Sequence, residues 1–183
     1  MLDGLLKDVL VIKRQKFYDD RGYFSELFNT KNLPFNFNVV QINISQSKRG
    51  VIRGLHFQRE PYSQAKYVSV IRGSIYDVAL DLRQDSSTFG RWAAYELSED
   101  NCLSLFIPRG FAHGFQALED NTLVLYAVDN YYHPESESGI KWDDPELGIS
   151  WPVKPWIISR KDMSWPTLRE IMKSGALRRS GQD

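Results

Sequence analysis

The sequence predicts a mainly β protein, built as a sandwich or barrel of antiparallel strands. Two observations support this prediction. Short runs rich in β-branched and aromatic residues recur at intervals of about 8–12 residues, each bounded by turn signals. Helical periodicity, by contrast, is scarce before the tail SWPTLREIMKSGALRR, which predicts a short C-terminal helix. A jelly roll is one architecture that satisfies this pattern.

The predicted strands follow one another through short connections. VLVIKRQKFYDDRGYFSELF contains two strand-like pieces around the turn signal DDRG (19–22), and NVVQINISQS (38–47) alternates cleanly. KYVSVIRGSIYDVALDLR (66–83) predicts two strands joined at RGS, the second with Asp77 and Asp81 on one face. The other face carries Tyr76, Val78, Leu80 and Leu82. WAAYELS, SLFIP and TLVLYAVDNYY complete the series. The unpaired backbone groups of an edge strand have to be protected, and pairing with a second subunit is a common way to protect them.

Length and composition limit the classes of protein that the chain can be. The 183 residues suit one domain spanning residues 1–183, with about the last eight disordered. Basic and acidic residues balance at 23 each, which favours neither nucleic acid nor an anionic membrane as partner. No apolar run approaches the roughly 20 residues that span a bilayer. The N-terminus does not resemble a signal peptide, and the single cysteine, Cys102, fits a reducing compartment, so we expect a cytoplasmic protein.

His56, in RGLHFQ (53–58), could be a metal ligand, an acid–base catalyst or a histidine that only packs. His113 lies in IPRGFAHGF, whose P-x-G-x-x-H spacing resembles the second motif of the cupin superfamily, a group of barrels that often bind a metal. Metal-binding cupins usually carry H-x-H where this chain has His56-Phe57-Gln58. Glu60 could add a carboxylate, but two histidines and an amide make a poor site for a first-row metal. We therefore expect no metal.

Three other polar residues are candidate site residues only if the fold brings them close to His56. Lys66 and His56 flank a strand–loop–strand segment, and two cations facing one cavity would suit an anionic ligand or an enolate. Tyr126 is either a core aromatic or a phenol that donates a proton inside the barrel. Asp162 is either a turn carboxylate or, if the fold returns it, a partner of His56. GxxxxGK[ST] and GxGxxG motifs do not occur, so arginines would have to hold a phosphate-bearing ligand. A GxSxG motif is also absent, so the sequence gives no support to nucleophilic hydrolysis.

Long motifs in a fixed order give a family resemblance. RGLHFQ, QAK (64–66), RGSIYDVALDLR, STFGRW, IPRGFAHGF, LYAVDNYYHPESESGIKWDDPELGISWP and SRKD follow one another. Together they closely resemble the dTDP-4-dehydrorhamnose 3,5-epimerases, over most of the chain. The resemblance implies a cupin-like jelly roll (a double-stranded β-helix), normally a homodimer, without a metal or an organic cofactor. It also implies a nucleotide-sugar substrate, dTDP-4-dehydro-6-deoxyglucose, inverted at C3 and C5 in the synthesis of dTDP-L-rhamnose.

The resemblance also implies roles for single residues. His56 matches the family's base, Asp162 the carboxylate that orients this base, and Tyr126 the acid on the opposite face of the sugar. Lys66 matches the cation that stabilises the oxyanion at O4. Substrate-binding positions of the family are matched by Arg21, Phe24, Glu26, Gln41, Asn43, Arg53 and His113. The first three lie on an N-terminal strand that crosses to the partner subunit in the family.

Three positions depart from the family pattern, namely Ile42, Ala65 and Ser69. We expect these departures to alter the pocket wall, and with it the sugar or nucleotide accepted. Three rival hypotheses stand beside the 3,5-epimerase. One is a relative that inverts a single carbon of a related nucleotide-sugar, another a metal-dependent cupin oxygenase, and the third a sugar-binding module without activity.

Overall fold

The computed structural model describes residues 2–3, 6–34 and 36–177. Its strands are β1 (Leu2–Asp3), β2 (Leu10–Lys13), β3 (Lys16–Asp19), β4 (Gly22–Ser25), β5 (Gln41–Ser47), β6 (Ile52–Gln58), β7 (Lys66–Arg72), β8 (Ser74–Asp81), β9 (Trp92–Ser98), β10 (Leu103–Ile107), β11 (Phe111–Ala117), β12 (Thr122–Val128) and β13 (Glu137–Gly139). Its α-helices are α1 (Arg160–Met163) and α2 (Leu168–Ser174), and 3₁₀ turns cover Thr30–Asn32 and Pro134–Ser136.

Two antiparallel sheets form the body of the fold. The six-stranded sheet has the order β1-β2-β10-β7-β12-β5, and the five-stranded sheet has the order β13-β6-β11-β8-β9. Val68, Leu105 and Val124 of the first sheet share one buried core with Ile75 and Phe111 of the second. Removal of these apolar side chains from water is the main force that holds two such faces together. The prediction of a mainly β, cupin-like jelly roll is confirmed.

Each sheet is also partly covered on its outer face. Phe37, in the segment before β5, packs on Tyr67 of the six-stranded sheet. Leu168 of α2 and the preceding loops pack on Leu80 of the five-stranded sheet. These outer layers explain why β8, an interior strand of its sheet, is almost entirely buried on both of its faces.

The alternation predicted for β8 is confirmed, and its two carboxylates face the interior between the sheets. Asp77 and Asp81 are both fully buried, because their neighbours on the same face, Ile75 and Ala79, belong to the core between the sheets. Asp81 pairs with Arg83 at 2.8 Å, and Asp77 pairs with a histidine described below. Buried carboxylates need such partners, since an unpaired charge in a core is costly.

Helix α2 is the C-terminal helix that the tail predicted. Thr167 and Glu170 form a capping box at its start, and Gly175 ends it with a left-handed φ of +73°. Ala176 and Leu177 still pack against the core. The disorder predicted for the end of the chain falls mainly on residues 178–183, which lie outside the described residues. Within the described ranges, no helix has the length and apolar character needed to cross a membrane.

The predicted hairpin at DDRG forms, but it belongs to neither large sheet. β3 and β4 pair with each other, with Asp19 opposite Gly22. Four of its aromatic side chains are exposed, namely Phe17, Tyr18, Tyr23 and Phe24. A lone two-stranded hairpin is marginally stable in water, so exposed aromatic side chains on it favour a covering surface.

Candidate active site

Strand pairing brings the predicted catalytic residues to one region between the two sheets. His56 on β6 lies opposite His113 on β11, and Gly139 on β13 flanks it on the other side. In the six-stranded sheet, Lys66 begins β7 and Tyr126 lies on the adjacent strand β12. Side chains from both sheets therefore face one cleft.

The cleft consists of two lobes of about 260 Å³ each. His56, Lys66, Tyr126 and Glu137 line both lobes. The lobe that we call the amide lobe is completed by Gln41, Asn43, Phe57, Gln58, Gln64 and Tyr132. The other, the acid–base lobe, is completed by Ser45, Arg53, His113, Phe115, Ser159, Lys161 and Asp162. Joined lobes of this size suit an organic ligand, and their lining is rich in charged and amide side chains.

Asp162 holds the imidazole of His56. His56 Nε2 and Asp162 Oδ1 are 2.6 Å apart, although 106 residues separate them in the chain. Burial raises the pKa of Asp162, but the hydrogen bond and charge of His56 and the backbone N–H of Gly54 outweigh burial and lower it. Ser159 caps helix α1 by accepting the N–H of Asp162 at 3.0 Å, which fixes the backbone that carries the carboxylate. The ionised Asp162 accepts from Nε2–H, so Nδ1 keeps the lone pair that can take a proton.

Lys66 is a buried cation, and nearby negative charges only partly offset the effect of burial on its pKa. Burial lowers the pKa of Lys66 to about 8, while the charges of Asp77 and Glu137 oppose that shift. Its Nζ lies 3.5 Å from the carbonyl oxygen of His56, which is the outer limit for a hydrogen bond. Because this contact is weak, the ammonium group is available to bind an anionic group in the cleft.

His113 is neutral and anchored by a carboxylate that sequence reasoning did not select as a site residue. Its Nε2 lies 2.5 Å from Asp77 Oδ1, and both side chains are buried. Burial lowers the pKa of His113, with the charges of Lys66 and His56 adding to that effect and Asp77 opposing it. Asp77 lies beneath the cleft and lines neither lobe.

Tyr126 and Arg53 complete the acid–base lobe. Burial raises the pKa of Tyr126, and the charge of Arg53 only partly opposes this, so the phenol keeps its proton. Arg53 donates from Nε to Ser47 Oγ and from a terminal nitrogen to the carbonyl of Gln46, both at 3.0 Å. These bonds fix the guanidinium at the wall of the lobe.

Gln58 and Glu60, the residues next to His56 that were weighed as metal ligands, have other surroundings. Gln58, where metal-binding cupins have their second histidine, accepts the backbone N–H of His133 at 3.3 Å and lines the amide lobe. Glu60 lines a neighbouring cavity and neither lobe of the cleft. Among the described residues, no group of three or more histidine, cysteine and acidic side chains could hold a metal ion.

The predicted substrate-binding residues separate into two groups. Those that line the cleft are Gln41, Asn43, Arg53 and His113, and Gln41 Nε2 donates to Asn43 Oδ1 at 2.7 Å. Those that line neither lobe of their own chain are Arg21, Phe24 and Glu26. Arg21 pairs with Asp19 at the tip of the hairpin, and Phe24 is 69% exposed. One chain alone therefore does not assemble all the predicted binding residues.

Glu137, Tyr132 and Lys161 are cleft residues that sequence reasoning missed. Glu137 accepts hydrogen bonds from the hydroxyl of Tyr132 and from Lys161 Nζ. Burial raises the pKa of Glu137, but these two bonds outweigh burial and lower it. Only the pairing of β13 with β6, which sets Glu137 opposite Gln58, brings this carboxylate to the cleft. The motif HPESESG contains it, but a three-residue strand leaves no periodic signal.

The three departures from the family pattern do not form the wall of this cleft, contrary to our expectation. Ala65 is buried in the cluster on the outer face of the six-stranded sheet. Ser69 hydrogen-bonds Ser104 at 2.7 Å inside the protein, and Ile42 is exposed on β5. All three side chains lie away from both lobes.

A carboxylate-held imidazole, a buried ammonium and a protonated phenol around one cleft are the groups needed to move protons beside a carbonyl. The jelly roll and this site together define an acid–base epimerase of the cupin-like class. The family model for dTDP-4-dehydrorhamnose 3,5-epimerase matches residues 4–170. The chain belongs to this family, as its motifs predicted.

Known members of the family resemble the chain over nearly its full length. A dTDP-4-dehydrorhamnose 3,5-epimerase of Methanothermobacter thermautotrophicus is 51% identical over 175 residues, which are 92% of each chain. A crystal structure of the enzyme from Bacillus anthracis, with TDP and PPi bound, has a TM-score of 0.88 at 46% identity and covers 91% of this chain and 98% of that one. A structure from Legionella pneumophila, in complex with dTDP-4-keto-L-rhamnose, has a TM-score of 0.91 at 38% identity and covers 100% and 98%.

Proposed function

We propose that this chain converts dTDP-4-dehydro-6-deoxyglucose to dTDP-4-dehydrorhamnose by inverting C3 and C5, in dTDP-L-rhamnose biosynthesis. The observation that carries the proposal is the acid–base lobe, where His56, held by Asp162, shares one space with Tyr126 and Lys66. The names of the relatives, and the dTDP-4-keto-L-rhamnose bound to one of them, support this substrate.

The first proposed step is proton removal. The C4 carbonyl acidifies the protons on C3 and C5, and His56 Nδ1 takes one of them. The electron pair of that C–H bond forms a carbon–carbon double bond, and the carbonyl π pair moves to O4 to give an enolate. Asp162 stabilises the imidazolium, and Lys66 stabilises the negative charge on O4, an interaction that is strongest in the transition state.

The second proposed step is protonation from the opposite face. Tyr126 donates its phenolic proton to the enolate carbon, so the carbon is inverted and the carbonyl re-forms. Solvent then returns a proton to Tyr126 and takes the abstracted proton from His56. Arg53 and the neutral His113 bind the sugar and help to stabilise the enolate. These steps use only side chains of the protein, and we expect no metal or organic cofactor.

We further propose that the protein is a homodimer in which the β3–β4 hairpin reaches the partner's cleft. Arg21, Phe24 and Glu26 would then grip the base and the pyrophosphate of the nucleotide. Three observations support this arrangement: the hairpin belongs to neither sheet, its aromatic side chains are exposed, and none of these three residues lines the cleft of its own chain. β5, the edge strand that carries Gln41 and Asn43, also exposes Ile42 and Ile44.

We also infer that residues 1–183 form one domain and that the protein acts in the cytoplasm. A common core between the two sheets supports a single domain. The only cysteine, Cys102, is a buried free thiol, which is in keeping with a reducing compartment.

The test is incubation of the protein with the 4-keto sugar in D2O, with the position of label read by NMR. We expect deuterium at both C3 and C5, and the same label after exhaustive chelation. Label at one carbon only would support the single-carbon relative. No label in the untreated protein would exclude the epimerase function. Label that chelation abolishes would support a metal-dependent alternative.

A further inference from the structure

Trp165 lies behind the His56–Asp162 pair and outside the cleft. Its indole Nε1–H donates to Asp162 Oδ1 at 3.3 Å, and this is the oxygen that also accepts from His56. Its ring meets the imidazole edge to face, with centroids 6.3 Å apart and planes at 74°. The indole therefore contacts both members of the pair without lining either lobe.

The packing around the indole fixes it in this position. A Cβ at Gly139 would lie 2.6 Å from Trp165 Nε1 and 2.7 Å from the carbonyl oxygen of Leu55, so β13 can pass this close only with glycine. On α1, Lys161 Nζ lies 5.8 Å from the centroid of the indole ring. Contacts with both β13 and α1 thus define the direction of the N–H.

We propose that Trp165 is a positioning residue that acts through Asp162 on His56. Its N–H shares one carboxylate oxygen with the imidazole and so reduces the negative charge that this oxygen presents to His56. An orienting carboxylate that is too strong an acceptor would stabilise the imidazolium, and an imidazolium cannot take a proton from the sugar. Trp165 therefore keeps the imidazole both aligned and neutral at lower pH. The catalytic part of this inference rests on the proposed function, whereas the effect on the titration of His56 does not.

Many other charged or titratable groups surround His56, and none of them is itself altered when the indole N–H is removed. They are Arg53 on β6, Lys66 on β7, Asp77 on β8, His113 on β11, Tyr126 on β12, Glu137 on β13, and Lys161 and Asp162 on α1. A shift in the titration of His56 after such a change therefore reports on the N–H itself.

The experiment compares Trp165→Phe with the matched variant Trp151→Phe. Both changes keep an aromatic ring and remove one indole hydrogen bond. Trp151 donates to the carbonyl of Trp142 at 3.0 Å and packs on the outer cluster, away from the cleft. The chain has three histidines, so NMR of the labelled imidazoles follows each ring separately, and His56→Asn assigns the signal of His56.

We expect the titration midpoint of the His56 ring, in the ligand-free protein, to rise by about half a pH unit in Trp165→Phe and to stay constant in Trp151→Phe. The acidic limb of the deuterium-exchange rate should move upward by the same amount. An unmoved midpoint in Trp165→Phe, or an equal shift in Trp151→Phe, overturns the inference. If Trp165→Phe does not fold, 3-benzothienylalanine at position 165 replaces the N–H by sulfur in the same bicyclic shape and gives the same comparison. Absence of exchange in the unchanged protein would refute the proposed function but leave the titration result decisive for Trp165.

Discussion

His113 Nε2 lies 2.5 Å from Asp77 Oδ1, and Oδ2 of the same carboxylate has no hydrogen-bond partner among the described residues. Asp77 is fully buried, so its charge is poorly screened by water. This charge raises the pKa of Lys66 against the lowering effect of burial. The His113–Asp77 pair therefore supports the protonated state of the lysine that we propose to stabilise the enolate.

The first prediction concerns alkaline pH. Burial lowers the pKa of Lys66 to about 8, so the ammonium is present below that pH and is lost above it. Since only the charged form stabilises the enolate, kcat/KM should fall above a pH of about 8. Initial rates of deuterium exchange between pH 6 and 10 measure this limb. Lys66→Arg stays charged over that range, so the limb should disappear in this variant, whatever its overall rate. If the rate of Lys66→Arg still fell above pH 8, a group other than Lys66 would cause the decrease.

The second prediction concerns Asp77→Asn. The change removes a buried negative charge, so the pKa of Lys66 should fall further and the alkaline limb should move down by about one pH unit. Activity should then suffer more at pH 8 than at pH 6, where the lysine is still charged. Asp143→Asn is the control, because Asp143 pairs with Lys141 at 3.4 Å on the surface. A loss of rate that is equal at every pH would show that Asp77 acts on the packing of His113 alone.

Sequence reasoning located the elements whose signals are local. The turn at RGS between β7 and β8, the hairpin at DDRG and the short helix α2 are each specified by residues within the element or next to it. His56 and Asp162 could be paired only through the family resemblance, since 106 residues separate them and no periodicity connects a strand to a short helix.

Residues that reach the site through strand register were missed. Asp77 looked like one more polar residue in an alternating strand, and only the pairing of β8 with β11 places it beside His113. Trp165 looked like part of a helix start. Its contact with Asp162 depends on the glycine at position 139 of another strand, and short-range patterns cannot encode such a contact.

A third prediction concerns the close approach of β6 and β11. A Cβ at Gly114 would lie 2.7 Å from the carbonyl oxygen of Arg53 and 2.8 Å from Leu55 Cδ2. Gly114→Ala must therefore push the two strands apart, and we expect a loss of about 3 kcal/mol in the free energy of unfolding, measured by urea denaturation. Exchange should also slow under folding conditions, because these strands carry His56 and His113.

Gly148→Ala is the matched control for this overpacking. Gly148 has a left-handed φ of +59°, but no atom lies within 4 Å of an added Cβ. We expect it to cost about 1 kcal/mol, from backbone conformation alone, and to leave the rate of exchange unchanged. If both variants lost equal stability, the contact between β6 and β11 would not be the cause.

The fourth prediction separates the base from the acid. His56→Ala removes the proposed base and should abolish deuterium exchange at both C3 and C5. Tyr126→Phe removes only the phenolic proton donor, so inversion should slow by about 100-fold or more while exchange from the His56 face continues. NMR follows the label and the configuration in the same sample. Equal loss of exchange and inversion in Tyr126→Phe would contradict the acid assignment.

The last prediction tests whether the hairpin completes the partner's cleft. Arg21→Ala should raise KM, because it removes a cation from the nucleotide, and His56→Ala should abolish turnover. If Arg21 of one protomer serves the site of the other, a mixed dimer has one site with both defects and one intact site. Random mixing of the two variants, by unfolding and refolding them together, should therefore restore about a quarter of the unaltered activity at low substrate concentration. A mixture of His56→Ala and Asp162→Ala should recover nothing, because those two side chains meet within one chain. Absence of recovery in the first mixture would assign the hairpin to the cleft of its own chain.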